Sequence, residues 1–382
     1  MYWRRVDGLR RLLAPLAVAA AGLLAAAPTA SALTLVPPKP DVYLGVSDRG
    51  SLEGFNSFVE MTGKHPALLE TYHGWGNNLN SSFERWRETG TRPILAISSA
   101  NPQTLAEILT PEQIALGAGD DYLLQLNQFF AARGLPAYVR PLGEPNRCLN
   151  VWSAFNCDGS EKGGEHSTLW YKQAFRRIST IVRGGQSLEG INATLAEIGL
   201  PPVNRTKGLP PESLPAAPVS IIWSPLPGGS PRVKGNFPGN YWPGGRWLDW
   251  VGTDFYSEYP VWEDLARFYK GKPWRNKPVS ITEWGVAGKD EPKFVKQLIA
   301  WIVKRPRVRM LVYYQGFGFP SENVYDIARY PKTLNQVRKK IRRANFLTEA
   351  ETNAGMLPPL PAKEKKTAKK TAPKPKPAPA YN

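Results

Sequence analysis

A chain of 382 residues with 42% hydrophobic residues holds enough apolar material for one large domain or two ordinary ones, and its 2 cysteines exclude a disulfide-dominated scaffold. The formal net charge of +17, from 49 Lys and Arg against 32 Asp and Glu, is concentrated partly at the ends and so is weak support for a nucleic-acid surface. The 13 Trp, 15 Tyr and 14 Phe fit either core filling or rings presented to the C–H face of a sugar.

The first element is a leader. Arg4, Arg5, Arg10 and Arg11 precede an apolar run from Leu12 to Ala27, and Ala30-Ser31-Ala32 follows as a small-x-small cleavage pattern. Residues 1–32 therefore read as a signal peptide, with Leu33 opening the mature chain. The run is short and alanine-rich for a retained membrane span. Arg4-Arg5 admits twin-arginine export, but Val6-Asp7-Gly8 matches that signal poorly, so the export route stays open. A secreted, extracellular product meets an oxidising environment, and Cys148 and Cys157 are expected to bond. His65, His73 and His166 are scattered, so neither a metal nor another cofactor is expected.

Eight apolar runs of strand length follow: Tyr43–Ser47, Ala67–Tyr72, Pro93–Ser98, Ala137–Leu142, Val219–Ser224, Trp250–Phe255, Pro278–Thr282 and Met310–Tyr314. Helical periodicity lies between most of them, as in Asp120–Arg133 and Leu169–Val182. Strand–helix alternation with eight buried strands predicts an α/β fold, a single-domain (β/α)8 TIM barrel over 33–343. Arg183–Pro218 reads as an insertion before strand five, and Gly228–Gly245 as a long loop after it. Residues 344–382 form a Lys/Pro/Ala tail whose composition cannot bury a core. That tail is either a solvated extension or an adhesive for anionic cell-wall polymers or a membrane surface. A monomer that does not bind nucleic acid is expected.

Barrel enzymes carry their chemistry at the C-terminal ends of strands. Glu144 ends the fourth strand, before Pro145, and Glu283 ends the seventh. Period-two alternation would put Arg140, Leu142 and Glu144 on one face, and Val279, Ile281 and Glu283 on another. Two carboxyl groups facing across a barrel mouth are what retaining glycoside hydrolysis requires. Either glutamate alone could instead be a structural ion pair, with Arg140 as a partner.

The segments Gly119-Asp120-Asp121-Tyr122, Arg140-Pro-Leu-Gly-Glu144-Pro-Asn146, Ile221-Ile-Trp-Ser-Pro225, Trp250-Val-Gly-Thr-Asp-Phe-Tyr256 and Lys277-Pro-Val-Ser-Ile-Thr-Glu283-Trp-Gly285 together resemble glycoside hydrolase family 26, the β-mannanases. The resemblance runs from about Tyr43 to Lys340. It implies a polysaccharide or oligosaccharide substrate, Glu144 as acid/base and Glu283 as nucleophile. It also implies that Tyr256 orients the nucleophile and that Arg140 supplies positive charge beneath both carboxylates. The sequence departs from the family at Gly143, where a histidine usually precedes the acid/base. It departs again near Tyr314, where many relatives carry a tryptophan.

Arg140, Asn146, Tyr256, Trp223, His73, Trp75, Trp284 and Tyr314 are the expected substrate-facing residues. Individually, each aromatic is as readily a packing residue. A barrel that binds carbohydrate without cleaving it, or a wall-associated scaffold, is the alternative.

Overall fold

The computed structural model describes residues 35–47, 49–205, 212–316, 323–343 and 345–348; the leader and nearly all of the tail lie outside the described residues. Eight parallel strands form the barrel: β1 Val42–Ser47, β2 Leu68–Gly74, β3 Arg92–Ser98, β4 Ala137–Pro141, β5 Val219–Trp223, β6 Trp250–Tyr256, β7 Val279–Gly285 and β8 Val308–Tyr313. Each pairs with its neighbour in chain order, and β8 pairs with β1 to close the ring. Every one of the eight expected strand runs overlaps one of these strands. Both faces of each strand are covered, which is why the runs are apolar almost throughout.

Two layers of core follow from alternation along the strands. Tyr43, Leu68, Ile94, Tyr138, Ile222, Trp250, Met310 and Val312 form a cluster drawn from seven of the strands and fill the lower interior. Two residues further along, the inward positions turn polar: Glu70 after Leu68, Arg140 after Tyr138, Ser224 after Ile222. Gly252 sits at this junction because a side chain there would meet Thr282 Oγ1 at 2.6 Å and the Ser224 Cβ at 2.9 Å. The larger cluster lies between the barrel and the surrounding helices.

The helices are bounded as local chemistry dictates. Ser51 caps Leu52–Thr62 by accepting from the Gly54 N–H, and Gly63 ends it at φ 68°. Ser167 caps Thr168–Arg183 in the same way. After β5, two short 3-10 turns, Pro238–Tyr241 and Gly245–Trp247, stand where a helix would complete the repeat. Gly239, Pro243, Gly244 and Gly245 leave that loop little helical tendency. Among its described residues the insertion before β5 holds one helix, Leu188–Ala196, and a two-residue ladder joining Gln186–Ser187 to Ser213–Leu214. Phe346–Leu347 adds to the edge of β1, with Phe346 fully buried. Phe346 joins the core between barrel and helices. Among the described residues no helix is long and apolar enough to cross a membrane.

Asp120, at the start of helix Asp120–Arg133, binds Arg177 of helix Thr168–Arg183 through both its oxygens, and neither side chain is exposed. The same guanidinium donates to the carbonyls of Ala115, Pro201 and Pro202. This pair ties the helix after β4 to that after β3 and to the insertion. Asp120→Ala would strand the buried cation, so a loss of about 3–5 kcal/mol in chemical denaturation is expected.

Candidate active site

Arg140 leaves β4 pointing into the barrel and is 3% exposed. Its Nε donates to Ser224 Oγ at 2.7 Å, and Nη1 donates to Glu70 Oε1 at 3.1 Å. Nη1 also binds Glu283 Oε1, and Nη2 binds Asp254 Oδ2. One buried cation therefore serves carboxylates from β2, β6 and β7. Burial, opposed by Arg140 and reinforced by the charge of Glu283, pushes Glu70 up to about 8. Burial likewise raises Asp254 well above the usual carboxylate range. Burial alone would lower the Arg140 pKa, but Asp254, Glu283 and Glu70 more than offset this, and it stays charged. Glu283 has a second donor, the Tyr256 hydroxyl, on Oε2.

Glu283 reaches this position by a route that alternation does not give. Val279, Ile281 and Trp284 all belong to the outer cluster, so strict alternation would have turned Glu283 outward with the first two. A register shift between β6 and β7 pairs Thr253 with Ile281 but Asp254 with Glu283. This bulge turns Glu283 inward. The expected face for β4 is corrected too. Leu142 lies in the outer cluster rather than beside Arg140, and both Leu142 and Glu144 have φ 48°. Two non-glycine residues in the left-handed region mark a strained turn. It is held by Glu144 N–H donating to the Ser224 carbonyl at 2.7 Å.

Glu144, Glu283, Arg140, His73 and Tyr314 line a cavity of about 540 Å³ at the C-terminal mouth. Tyr72, Arg147, Asn150 and Trp152 line it as well. Arg147 Nη1 donates to Glu144 Oε2 at 2.9 Å. Tyr72, Tyr256 and Tyr325 surround Tyr314 edge-on, with ring centroids 5.1–6.0 Å away. His73 accepts or donates to Ser82 at 2.8 Å, and burial lowers it to about 4. Among the described residues no group of three His, Cys, Asp or Glu could hold a metal; the carboxylates here gather on a guanidinium.

Four expected substrate-facing residues lie elsewhere. Trp223 is fully buried on the outer side of β5, against Trp242, Trp274 and Phe268. Trp284 is buried edge-on against Tyr313. Trp75 packs on Tyr122 and on the backbone at Gly119, where a Cβ would stand 2.5 Å from its Nε1. Asn146 is fully buried and holds the loop after β5, donating to Leu226 and Gly228 carbonyls and accepting from Leu226 N–H. Glu70, Ser224 and Arg147 were not singled out from the sequence. A lone glutamate inside the apolar β2 run was the signal available for the first.

Cys148 and Cys157 are bonded, with Cα atoms 5.0 Å apart. Their loop carries Trp152, whose indole N–H donates to the Gly143 carbonyl at 2.9 Å. Gly143 packs closely on Arg140: a Cβ there would stand 3.0–3.1 Å from its Nε, Nη2 and Cζ, so a side chain would require Arg140 to shift by a few tenths of an ångström.

Two outcomes follow for this centre. Glu70 holds its proton more tightly folded than unfolded, so its contribution to stability is complete below pH 4.5 and is lost as pH rises towards 8. Relative to wild type, Glu70→Gln should therefore gain stability across that window, by at most about 1.4 kcal/mol per pH unit, in denaturant titrations at pH 5, 6.5 and 8. Gly143→Val should displace Arg140 and lower activity at least tenfold, on the order of 1.4 kcal/mol, with far-ultraviolet circular dichroism unchanged.

No family model matches the chain. A β-1,3-xylanase from Vibrio sp is 24% identical over 245 residues, covering 64% of this chain and 45% of that protein, so the chain spans less than half of that relative. Among solved structures, a GH26 β-mannanase from Bacteroides ovatus aligns with TM-score 0.55 and 15% identity, covering 82% of this chain and 91% of that one. A mannanase from Bacillus subtilis aligns with TM-score 0.53 and 17% identity, covering 86% and 93%. The chain has the (β/α)8 fold of the family 26 β-mannanases, the family its motifs resemble.

Proposed function

We propose that the protein is a secreted retaining glycoside hydrolase acting on a β-linked polysaccharide, with Glu144 as general acid/base and Glu283 as nucleophile. The observation that carries this reading is that both carboxylates line one cavity while their surroundings differ. Glu283 accepts from Arg140 and Tyr256, one donor on each oxygen, which fixes its aim. Glu144 lies outside that network, beyond the end of β4, with Arg147 on its Oε2.

In the first step a Glu283 oxygen attacks the anomeric carbon, the glycosidic C–O bond breaks, and Glu144 gives its proton to the leaving oxygen. In the second, water attacks the glycosyl ester, Glu144 takes the proton, and Glu283 leaves as carboxylate. Neither step needs a cofactor. The names of the relatives, β-mannanase and β-1,3-xylanase, support a β-linked glycan, and β-mannan is the first substrate to try. The leader read at 1–32 supports export. The basic tail read from 344 supports attachment to anionic wall polymers or a membrane surface.

Activity against β-mannan and β-xylan panels, with two variants, tests this. Glu283→Ala should abolish turnover, with azide restoring a product of inverted configuration. Glu144→Ala should lose about 10²–10⁴-fold on polysaccharide, retain the first step on activated aryl glycosides, and accumulate a glycosyl ester on Glu283 visible by mass spectrometry. An active wild type indifferent to both substitutions overturns the assignment. A wild type that binds a glycan without cleaving it favours a binding barrel instead.

A further inference from the structure

Arg147 is not accounted for by the chemistry above. It lies on the same turn as Glu144, lines the cavity, and is 43% exposed along its side chain where Glu144 is 11% exposed. Its backbone is clamped on both sides. Arg147 N–H donates to the Glu144 carbonyl at 3.1 Å, Ser230 N–H to the Asn146 carbonyl at 2.9 Å, and Cys148 N–H to the Ser230 carbonyl at 2.7 Å. The buried Asn146 amide and the Cys148–Cys157 bond fix the same turn. The backbone that carries this side chain is thus held in place, and the side chain is partly exposed at the cavity wall.

The two cavity arginines differ in commitment. Arg140 is buried among Glu70, Asp254 and Glu283, whereas Arg147 forms its ion pair with Glu144 at the wet rim. That pair occupies an oxygen of the group proposed to deliver a proton. Arg147 engages Oε2 through Nη1 alone, so Oε1 is left to carry the proton and the rest of the guanidinium edge is left to take a substrate group. A neutral sugar offers only hydroxyls for this. A planar carboxylate offers two oxygens that match the guanidinium fork.

We infer that Arg147 is a specificity-determining residue for an acidic glycan, taking the carboxylate of a uronate unit beside Glu144. The site is the one read above as a hydrolase, and the consequence for turnover rests on that reading. The inference predicts that the enzyme discriminates by charge at a single position of the substrate rather than by the shape of the sugar alone.

The test uses the full chain and two matched pairs of probes. One is β-mannan oxidised at C6 to carry uronate groups, compared with the same material after carboxyl reduction. The other is glucuronate-bearing β-xylan, again compared with its carboxyl-reduced form. Wild type should show kcat/KM on the order of tenfold or more higher for the acidic member of a pair, as expected for one charge-assisted hydrogen-bonded contact. In Arg147→Met that ratio should fall to about one, and Arg147→Lys, which keeps the charge without the fork, should lie between. A wild-type ratio near one in both pairs, or a ratio unchanged in Arg147→Met, overturns the inference. An equal loss on both members of a pair makes Arg147 a positioning residue for Glu144 and overturns it too. If the chain cleaves none of the four polymers, the hydrolase reading fails. The ratio of affinities for wild type and Arg147→Met, measured by calorimetry on the same pairs, then decides the charge preference.

Discussion

The site depends on one buried guanidinium. Arg140 is bound by side chains from β2, β6 and β7 and by Ser224 just beyond β5. A cation removed from water is tolerated only when it is paired and its donors are used, and here the pairing joins opposite sides of the barrel mouth. Three carboxylates on one cation cannot all ionise cheaply. Burial resolves the conflict by driving Glu70 and Asp254 towards their neutral forms. Gly143 packs against the same cation, its Cβ position 3.0–3.1 Å from the guanidinium.

The aromatic residues divide by their polar needs. Trp223, Trp250, Trp284 and Trp86 are almost wholly buried, where their large apolar area stabilises the barrel most. The mouth instead has tyrosines, Tyr72, Tyr256, Tyr314 and Tyr325, around the carboxylates. A phenol is suited to this border, since the ring packs against its neighbours while the hydroxyl serves an acid, as Tyr256 does for Glu283 and Tyr72 for Glu70.

Rigidity at Glu144 has a different origin from that at Glu283. Glu283 is held by its side-chain partners and aimed by a bulge. Glu144 is held by its backbone, in a left-handed turn bonded to Ser224, tied by Asn146 to the loop after β5 and followed by the disulfide-closed loop. Its side chain is left with one partner at the rim, Arg147. The two carboxylates thus stand in one cavity with unlike restraints, one held by its side-chain partners and the other by its backbone.

Much of the architecture was legible in the sequence because it rests on local patterns. Eight short apolar runs alternating with helical periods specify a parallel barrel, and the strand-end glutamates of runs four and seven mark its mouth. Two cysteines close in the chain were expected to pair, and they do. What required the tertiary structure was anything set by a neighbour distant in the chain. Alternation misplaced Val279, Ile281 and Leu142, since a bulge and a left-handed turn depend on how adjacent strands register. Trp223, Trp75, Trp284 and Asn146 looked like binding residues from their positions near strand ends, and only packing decided that they face the helices and loops. Glu70 and Arg147 were invisible for the same reason: a charge becomes functional through the burial and the partners that the closed barrel brings to it.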